Sequence, residues 1–192
     1  MFWERWYPVA LTHFPVLREL SLDDFMACIY RAEFSFIRVD ADEATYDLHV
    51  LLRFEIELLL LRGELAVADL PGAWAERFEA LFGRRPPDDT HGCLQDIHWS
   101  MGAFGYFPTY SLGNLGAAQL FDAALAQPDI RTAFKAANFA PLLAWLRAQV
   151  HHHGATLDPD DLIARATGSP PGPDAHLRHL RARYLGPAAT PT

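Results

Sequence analysis

The stretch that most limits how this chain can fold is LHVLLRFEIELLLL, residues 48–61. A run this apolar must leave water, into either a protein core or a bilayer. A membrane span needs roughly 20 consecutive apolar residues. This run is shorter, and it carries Arg53, Glu55 and Glu57. A deeply buried helix is the reading that remains. Asp40, Asp42, Glu43 and Asp47 precede the run and Arg62-Gly63 follows it. Acids at the start and a base before a glycine stop complement the helix dipole. The pattern predicts one long helix from Asp40 to Arg62.

The rest of the chain is helical in pattern. Ser21 before Leu22, Asp23 and Asp24 is an N-cap hydroxyl with acids in the first turn, predicting a helix to about Arg31. FSFIRV (34–39) has the residue types of an extended segment. Asp69 and Pro71 open a helix that ends at Gly83. RRPPDDTHG (84–92) is a surface loop. Further helices are expected over 111–127, over 139–154 with a glycine stop, over 158–168 with Asp158 as cap and Pro159 in the first turn, and over 174–186. The tail PAATPT (187–192) is expected to be disordered. With no internal repeat and no evident linker, 192 residues are read as one all-α, multi-helix domain over 1–186, with one short extended piece allowed.

The formal net charge of −8 argues against a nucleic-acid partner, which wants a basic face. The N-terminus MFWERWYPVAL lacks the charged region and clean apolar run of a secretory signal. Cys28 and Cys93 have neither metal-ligand nor redox spacing and read as small apolar residues. A cytoplasmic, non-membrane protein is expected.

Several chemistries find no support. Nine histidines invite a metal, but no H-E-x-x-H occurs. His151, His152 and His153 are consecutive and on a helix would point in three directions. His176 and His179 lie one turn apart without a carboxylate to complete a site. There is no G-x-S-x-G, Cys28 has no local histidine, and GNLGAAQ has the wrong spacing for a phosphate loop.

Three segments remain: IRVDAD (37–42), GCLQDIHW (92–99) and AFGYFPTYSLGN (103–114). Together they resemble the C-terminal signatures of the carboxypeptidase Taq family, the thermostable zinc carboxypeptidases. Ile37, Arg38, Ala41 and Asp42 match an I-R/A-x-x-A-D motif. Gly92, Gln95, Asp96, His98 and Trp99 match a G-x-x-Q-D-x-H-W motif, and the glycine- and aromatic-rich segment follows. The resemblance runs from FWERWYP to the end of the chain.

The resemblance implies an all-α fold equivalent to the C-terminal part of a helical zinc metallocarboxypeptidase. Family enzymes remove amino acids from peptide C-termini, using zinc held by H-E-x-x-H and a further glutamate. This sequence contains none of those ligands, so no cofactor is expected in this chain and inactivity alone is expected. What the resemblance assigns here is auxiliary. His98 and Tyr110, with Tyr106 as alternative, would donate hydrogen bonds to a developing oxyanion. Asp96 would orient His98, Arg38 would take the substrate's terminal carboxylate, and Gln95 would join them in substrate binding. Simpler roles stand beside these. Arg38 and Asp42 fit an i,i+4 ion pair, Asp96 fits a cap for a helix near Ile97, and the tyrosines fit packed aromatics. The expected partners are peptide C-termini, an upstream metal-binding half, or a second copy of the chain. The alternative function is a non-catalytic peptide-binding or self-associating protein, with Phe2, Trp3, Trp6 and Tyr7 on the associating surface.

Overall fold

The computed structural model describes residues 2–186, so the expectation for the tail 187–192 lies outside the described residues. Nine α-helices and four short 3-10 turns make up the regular structure among them, with no strand. The all-α expectation holds. The chain divides into two compact units, Ala32–Asn114 and Met1–Arg31 with Leu115–Thr192.

The unit of residues 32–114 is built on α3 (Tyr46–Leu61) and α4 (Leu70–Phe82). Helix α3 buries His49, Val50, Leu52, Arg53, Ile56 and Glu57. The 49, 52/53, 56/57 spacing is one face of a helix. Leu52 and Ile56 join Trp74 and Phe78 of α4 and Cys93 in a single core cluster. Phe78 and Phe82 stack with ring centroids 4.4 Å apart, which orders the α4 side of that core. Gly83 ends α4 at φ +69, a left-handed stop that its lack of a Cβ permits.

Two expectations for this unit change. The long helix does not begin at Asp40 but at Tyr46. Residues Arg38–Asp40 form a 3-10 turn, and Asp42 Oδ1 accepts the Thr45 N–H at 2.9 Å while its Oδ2 accepts the Glu33 N–H at 2.6 Å. The acids do open a helix, but Asp42 works as a local turn-former instead of a helical residue. Residues 34–39 do not form a strand. They have no strand to pair with, and their apolar side chains serve the core directly: Phe34 and Phe36 pack against its cluster.

The other unit contains α1 (Phe2–His13), α2 (Leu22–Ile29), the later part of α5 (Pro108–Leu125), α6 (Pro128–Lys135), α7 (Ala140–Gln149), α8 (Pro159–Thr167) and α9 (Asp174–Tyr184). Helices α1 and α6 were not expected from the pattern. The Ser21 cap is present: its hydroxyl accepts the Asp24 N–H at 3.1 Å. Asp158 stands at the N-cap of α8 but makes no side-chain capping bond. Helix α7 stops at Gln149, short of the expected 154, and His151–His153 follow as a 3-10 turn. Trp3 and Tyr7 of α1 each lie 4.8 Å from the ring of Phe25 on α2. Gln119 Nε2 on α5 donates to Thr167 Oγ1 and to the carbonyls of Ser169 and Pro170, each at 3.0 Å.

Candidate active-site wall

The candidate site lies within the unit of residues 32–114, where α3 meets the turn-rich segment 91–107. Near its start Gly92 packs closely: a Cβ there would stand 3.2 Å from the Asp88 carbonyl oxygen, a tight contact. Gln95 then ties the two sequence motifs together. Its Oε1 accepts the Arg38 N–H at 2.8 Å, and its Nε2 donates to the carbonyls of Phe36, His91 and Gly92 at 3.0–3.1 Å. Every polar atom of Gln95 is spent on backbone groups.

Asp96 sits between two arginines. Its Oδ1 accepts from Arg38 Nε at 3.2 Å and Nη2 at 2.8 Å. Its Oδ2 accepts from Arg53 Nε at 2.6 Å, and Arg53 Nη2 stands at the same distance from that oxygen. Arg53 Nη1 donates to the His49 carbonyl at 2.7 Å and Arg38 Nη1 to the Tyr46 hydroxyl at 2.9 Å. Arg53 is 0% and Arg38 6% exposed. A shared carboxylate is what makes two buried guanidiniums tolerable. Aromatic faces assist. Arg38 lies 5.0 Å from the Tyr110 ring centroid and Arg53 4.7 Å from that of Trp74.

The charges answer to this packing. Burial opposes the Asp96 anion, but the hydrogen bonds and charges of Arg38 and Arg53 win and hold its carboxyl below the usual carboxylate range. Burial likewise opposes the Arg38 cation, and Asp96 outweighs it, leaving Arg38 above its ordinary value. For Arg53 burial prevails over Asp96 and brings it down to about 10, still a cation at neutral pH. His49 is lowered to about 4 by burial first and then by the charges of Arg53 and Arg38; the Ser35 backbone and Asp96 pull the other way without offsetting them.

Two residues after Asp96 comes His98. Its Nε2 lies 3.3 Å from the Tyr110 hydroxyl, and its ring packs on Phe107 at 4.4 Å and Tyr106 at 5.4 Å between centroids. Tyr106 and Tyr110 are themselves 5.4 Å apart, and Tyr106 is 49% exposed. Burial above all raises the Tyr110 phenol, with Tyr106 and Tyr46 adding and the Arg38 charge opposing. Tyr110 is therefore a protonated donor at neutral pH.

The structure brings His98, Tyr106 and Tyr110 together at the surface and sets Arg38, Gln95 and Asp96 behind them. His98 Nδ1 is 3.8 Å from Asp96 Oδ1, a charge contact beyond hydrogen-bonding reach. No helix begins near Ile97 for Asp96 to cap, and Arg38 pairs with Asp96, not with Asp42. The arrangement sets a linked histidine and tyrosine, with the exposed Tyr106 hydroxyl-bearing ring beside them, against a buried charged cluster.

Known proteins resemble the chain as a whole. A family model described as carboxypeptidase Taq (M32) metallopeptidase matches residues 1–184. The chain belongs to this M32 carboxypeptidase family. Thermostable carboxypeptidase 1 of Thermus thermophilus is 46% identical over 184 residues, 95% of this chain and 36% of that protein. Carboxypeptidase 1 of Bacillus subtilis is 42% identical over 186 residues, 96% of this chain and 35% of that protein. The crystal structure of the M32 carboxypeptidase from Deinococcus radiodurans superposes with a TM-score of 0.90 at 39% identity, covering 95% of this chain and 37% of that one. The chain thus spans about a third of the length of its M32 relatives.

A metallopeptidase family implies a metal. Among the described residues no group of three or more His, Cys, Asp or Glu is placed to hold a metal ion. The rings of His176 and His179 stack with centroids 6.4 Å apart. Among the same residues no helix is long and apolar enough to cross a membrane.

Two buried charged residues of this network escaped the motif reading. Arg53 and Glu57 of α3 are buried in the same network of charge and loop contacts, and both look in sequence like solvated helix charges. The available signal was their position. They stand one turn apart, with His49 a turn before, inside an otherwise unbroken apolar run.

Proposed function

We propose that this chain is the substrate-facing wall of an M32 metallocarboxypeptidase, with the metal-binding residues supplied from outside this sequence. The observation that carries the reading is the His98–Tyr110 pair, 3.3 Å apart, beside the exposed Tyr106 and backed by the buried Asp96–arginine cluster. With the proton on Nε2, His98 donates to Tyr110 Oη, which leaves the phenolic proton to be donated to Tyr106 or, in its place, to a substrate oxygen. A peptide carbonyl approaching there meets donors already oriented for the negative charge it develops on attack. Arg38, Asp96 and Gln95 act from behind, by fixing the backbone and charge around His98. The reaction is release of the C-terminal residue of a peptide, as in the family. The same reading puts the protein in the cytoplasm, supported by two unpaired cysteines, Cys28 exposed and Cys93 buried.

The test is reconstitution. The chain is mixed with zinc and a separately expressed M32 fragment that carries H-E-x-x-H, and free amino acid released from a peptide is measured. Release is expected from the mixture and from neither part alone. In the mixture His98→Ala and Tyr110→Phe lower kcat by about 10²–10³, the scale of losing one oxyanion donor. No release from the mixture overturns the reading.

A second reading has one observation in its favour. Leu94, Ile97 and Met101 are exposed beside His98, in the same segment. Apolar side chains clustered at a surface suit association. A chain that binds peptide weakly, or pairs with itself, would use them. Sedimentation of a monodisperse monomer, with no peptide bound, counts against that alternative.

A further inference from the structure

Glu57 is a carboxylate 2% exposed on the inner face of α3. Its Oε2 accepts the indole N–H of Trp99 at 3.0 Å, and its Oε1 accepts the backbone N–H of Gly105. Trp99 is the residue after His98, and Gly105 is the residue before Tyr106. One turn earlier on α3, Arg53 holds Asp96, two residues before His98. The segment 96–106, which has no helix or strand of its own, is thus hung at three points from two successive turns of one helix.

A buried carboxylate is costly unless its oxygens are filled with donors. An apolar side chain would fill the same space without that cost. What it would not do is hold two N–H groups six residues apart. A carboxylate offers two acceptor oxygens side by side, whereas an amide offers one acceptor and one donor. Gly105 makes the second bond possible: at φ +80 it turns its N–H toward Glu57, a conformation that side-chain-bearing residues adopt reluctantly. From this we propose that Glu57 is a positioning residue, which sets the spacing of His98 and Tyr106 by clasping the residues next to each. The functional part of the inference rests on the reading of His98 and Tyr110 as oxyanion donors; the clasp itself does not.

Glu57→Gln keeps the shape and must break one tie, because its NH₂ group would face an N–H. Trp99→Phe removes the indole tie from the other side and keeps a ring. Two readouts separate positioning from general stability. In the chain alone, NMR follows exchange of the Trp99 indole and Gly105 amide protons and the ring signals of His98. In the reconstituted zinc mixture, kcat and KM are measured per folded chain, with Phe78→Leu as a destabilised control. For Glu57→Gln the expectation is exchange at least tenfold faster at one of the two protons, shifted His98 signals, and kcat down about 10–100-fold with KM within twofold. Trp99→Phe should reproduce the kcat loss, and the double variant should lose little more. Phe78→Leu should leave kcat unchanged. Glu57→Gln with unmoved His98 signals and wild-type exchange overturns the proposal, as does a Phe78→Leu that loses kcat equally. If Glu57→Gln fails to fold, Trp99→Phe decides by the same readouts. If the wild-type mixture releases nothing, the functional reading falls, and the NMR arm still decides whether Glu57 is the clasp.

Discussion

The two units bury different things. Residues 32–114 hide charge together with large apolar groups: Arg38, His49, Arg53 and Glu57 lie among Trp74, Phe78 and Phe107. The unit formed by 2–31 and 115–186 buries mainly Tyr7, Ala124, Ile130, Ala175 and His176 among its described residues, and leaves Phe2, Trp6, Phe14 and Phe139 exposed. In the first, one core and one polar network are shared by many residues. In the second, contacts are made in pairs, such as Phe134 with Phe121 at 5.3 Å and with Phe139 at 5.4 Å. Single changes should therefore be severe in the first unit and mild in the second. The candidate site stands in the unit whose parts are hardest to change.

The largest effect is expected at Asp96. Asp96→Asn removes the charge that two buried guanidiniums share, and breaking a buried pair by deleting one partner costs about 3–5 kcal/mol. Urea unfolding of the variant measures it. A loss under 1 kcal/mol would mean the cluster is better hydrated than its burial implies, and the contrast between the units would weaken.

The next effect is a pH dependence carried by the first unit. His49 has an ordinary value of 6.5 and a folded value of about 4. Its ring is fully buried and neither nitrogen makes a hydrogen bond of normal geometry. Between those values the unfolded chain binds a proton that the folded chain refuses, so stability falls as pH drops from 6.5 towards 4. A shift of that size corresponds to roughly 3 kcal/mol. Asp96 adds a second loss further down. Its folded value is depressed, so its contribution is present above the ordinary carboxylate value and disappears as pH falls through the folded one. His49→Leu should remove the first limb and keep the second. Thermal melts from pH 7 to about pH 2 distinguish them, and an unchanged slope between pH 6.5 and about 4 in His49→Leu would refute the assignment.

How far these features could be read in advance follows from their range in sequence. The Ser21 cap and the Gly83 and Gly168 stops act within four residues, and local pattern finds them. The start of α3 was misplaced by six residues because Asp42 has two uses for its carboxylate, and only the fold chooses the turn. Motif resemblance picked out Arg38, Gln95, Asp96, His98 and Tyr110, all of which meet in space. It did not reveal that Arg38 faces Asp96 58 residues away, or that Arg53 shares it. Those pairings depend on which face of α3 is buried. A charge inside an apolar run looks the same in sequence whether it points to water or to a carboxylate.

The smallest effect tests the second unit. The Tyr7 hydroxyl lies 2.8 Å from the Leu20 carbonyl oxygen and 3.0 Å from that of Leu17. Leu17 keeps another partner, the Leu20 N–H at 3.1 Å, so Tyr7→Phe leaves only the Leu20 carbonyl short of a donor. The ring still packs on Phe25, and no cavity forms. The cost is that of one neutral hydrogen bond at a partly wet site, about 1 kcal/mol. Amide exchange in α1 and α2 should quicken about fivefold, the equivalent of that energy, while amides of α3 keep their wild-type rates. Faster exchange in α3 by the same factor would show that the pairwise contacts of α1 and α2 support the charged core as well, and the contrast between the two units would have to be abandoned.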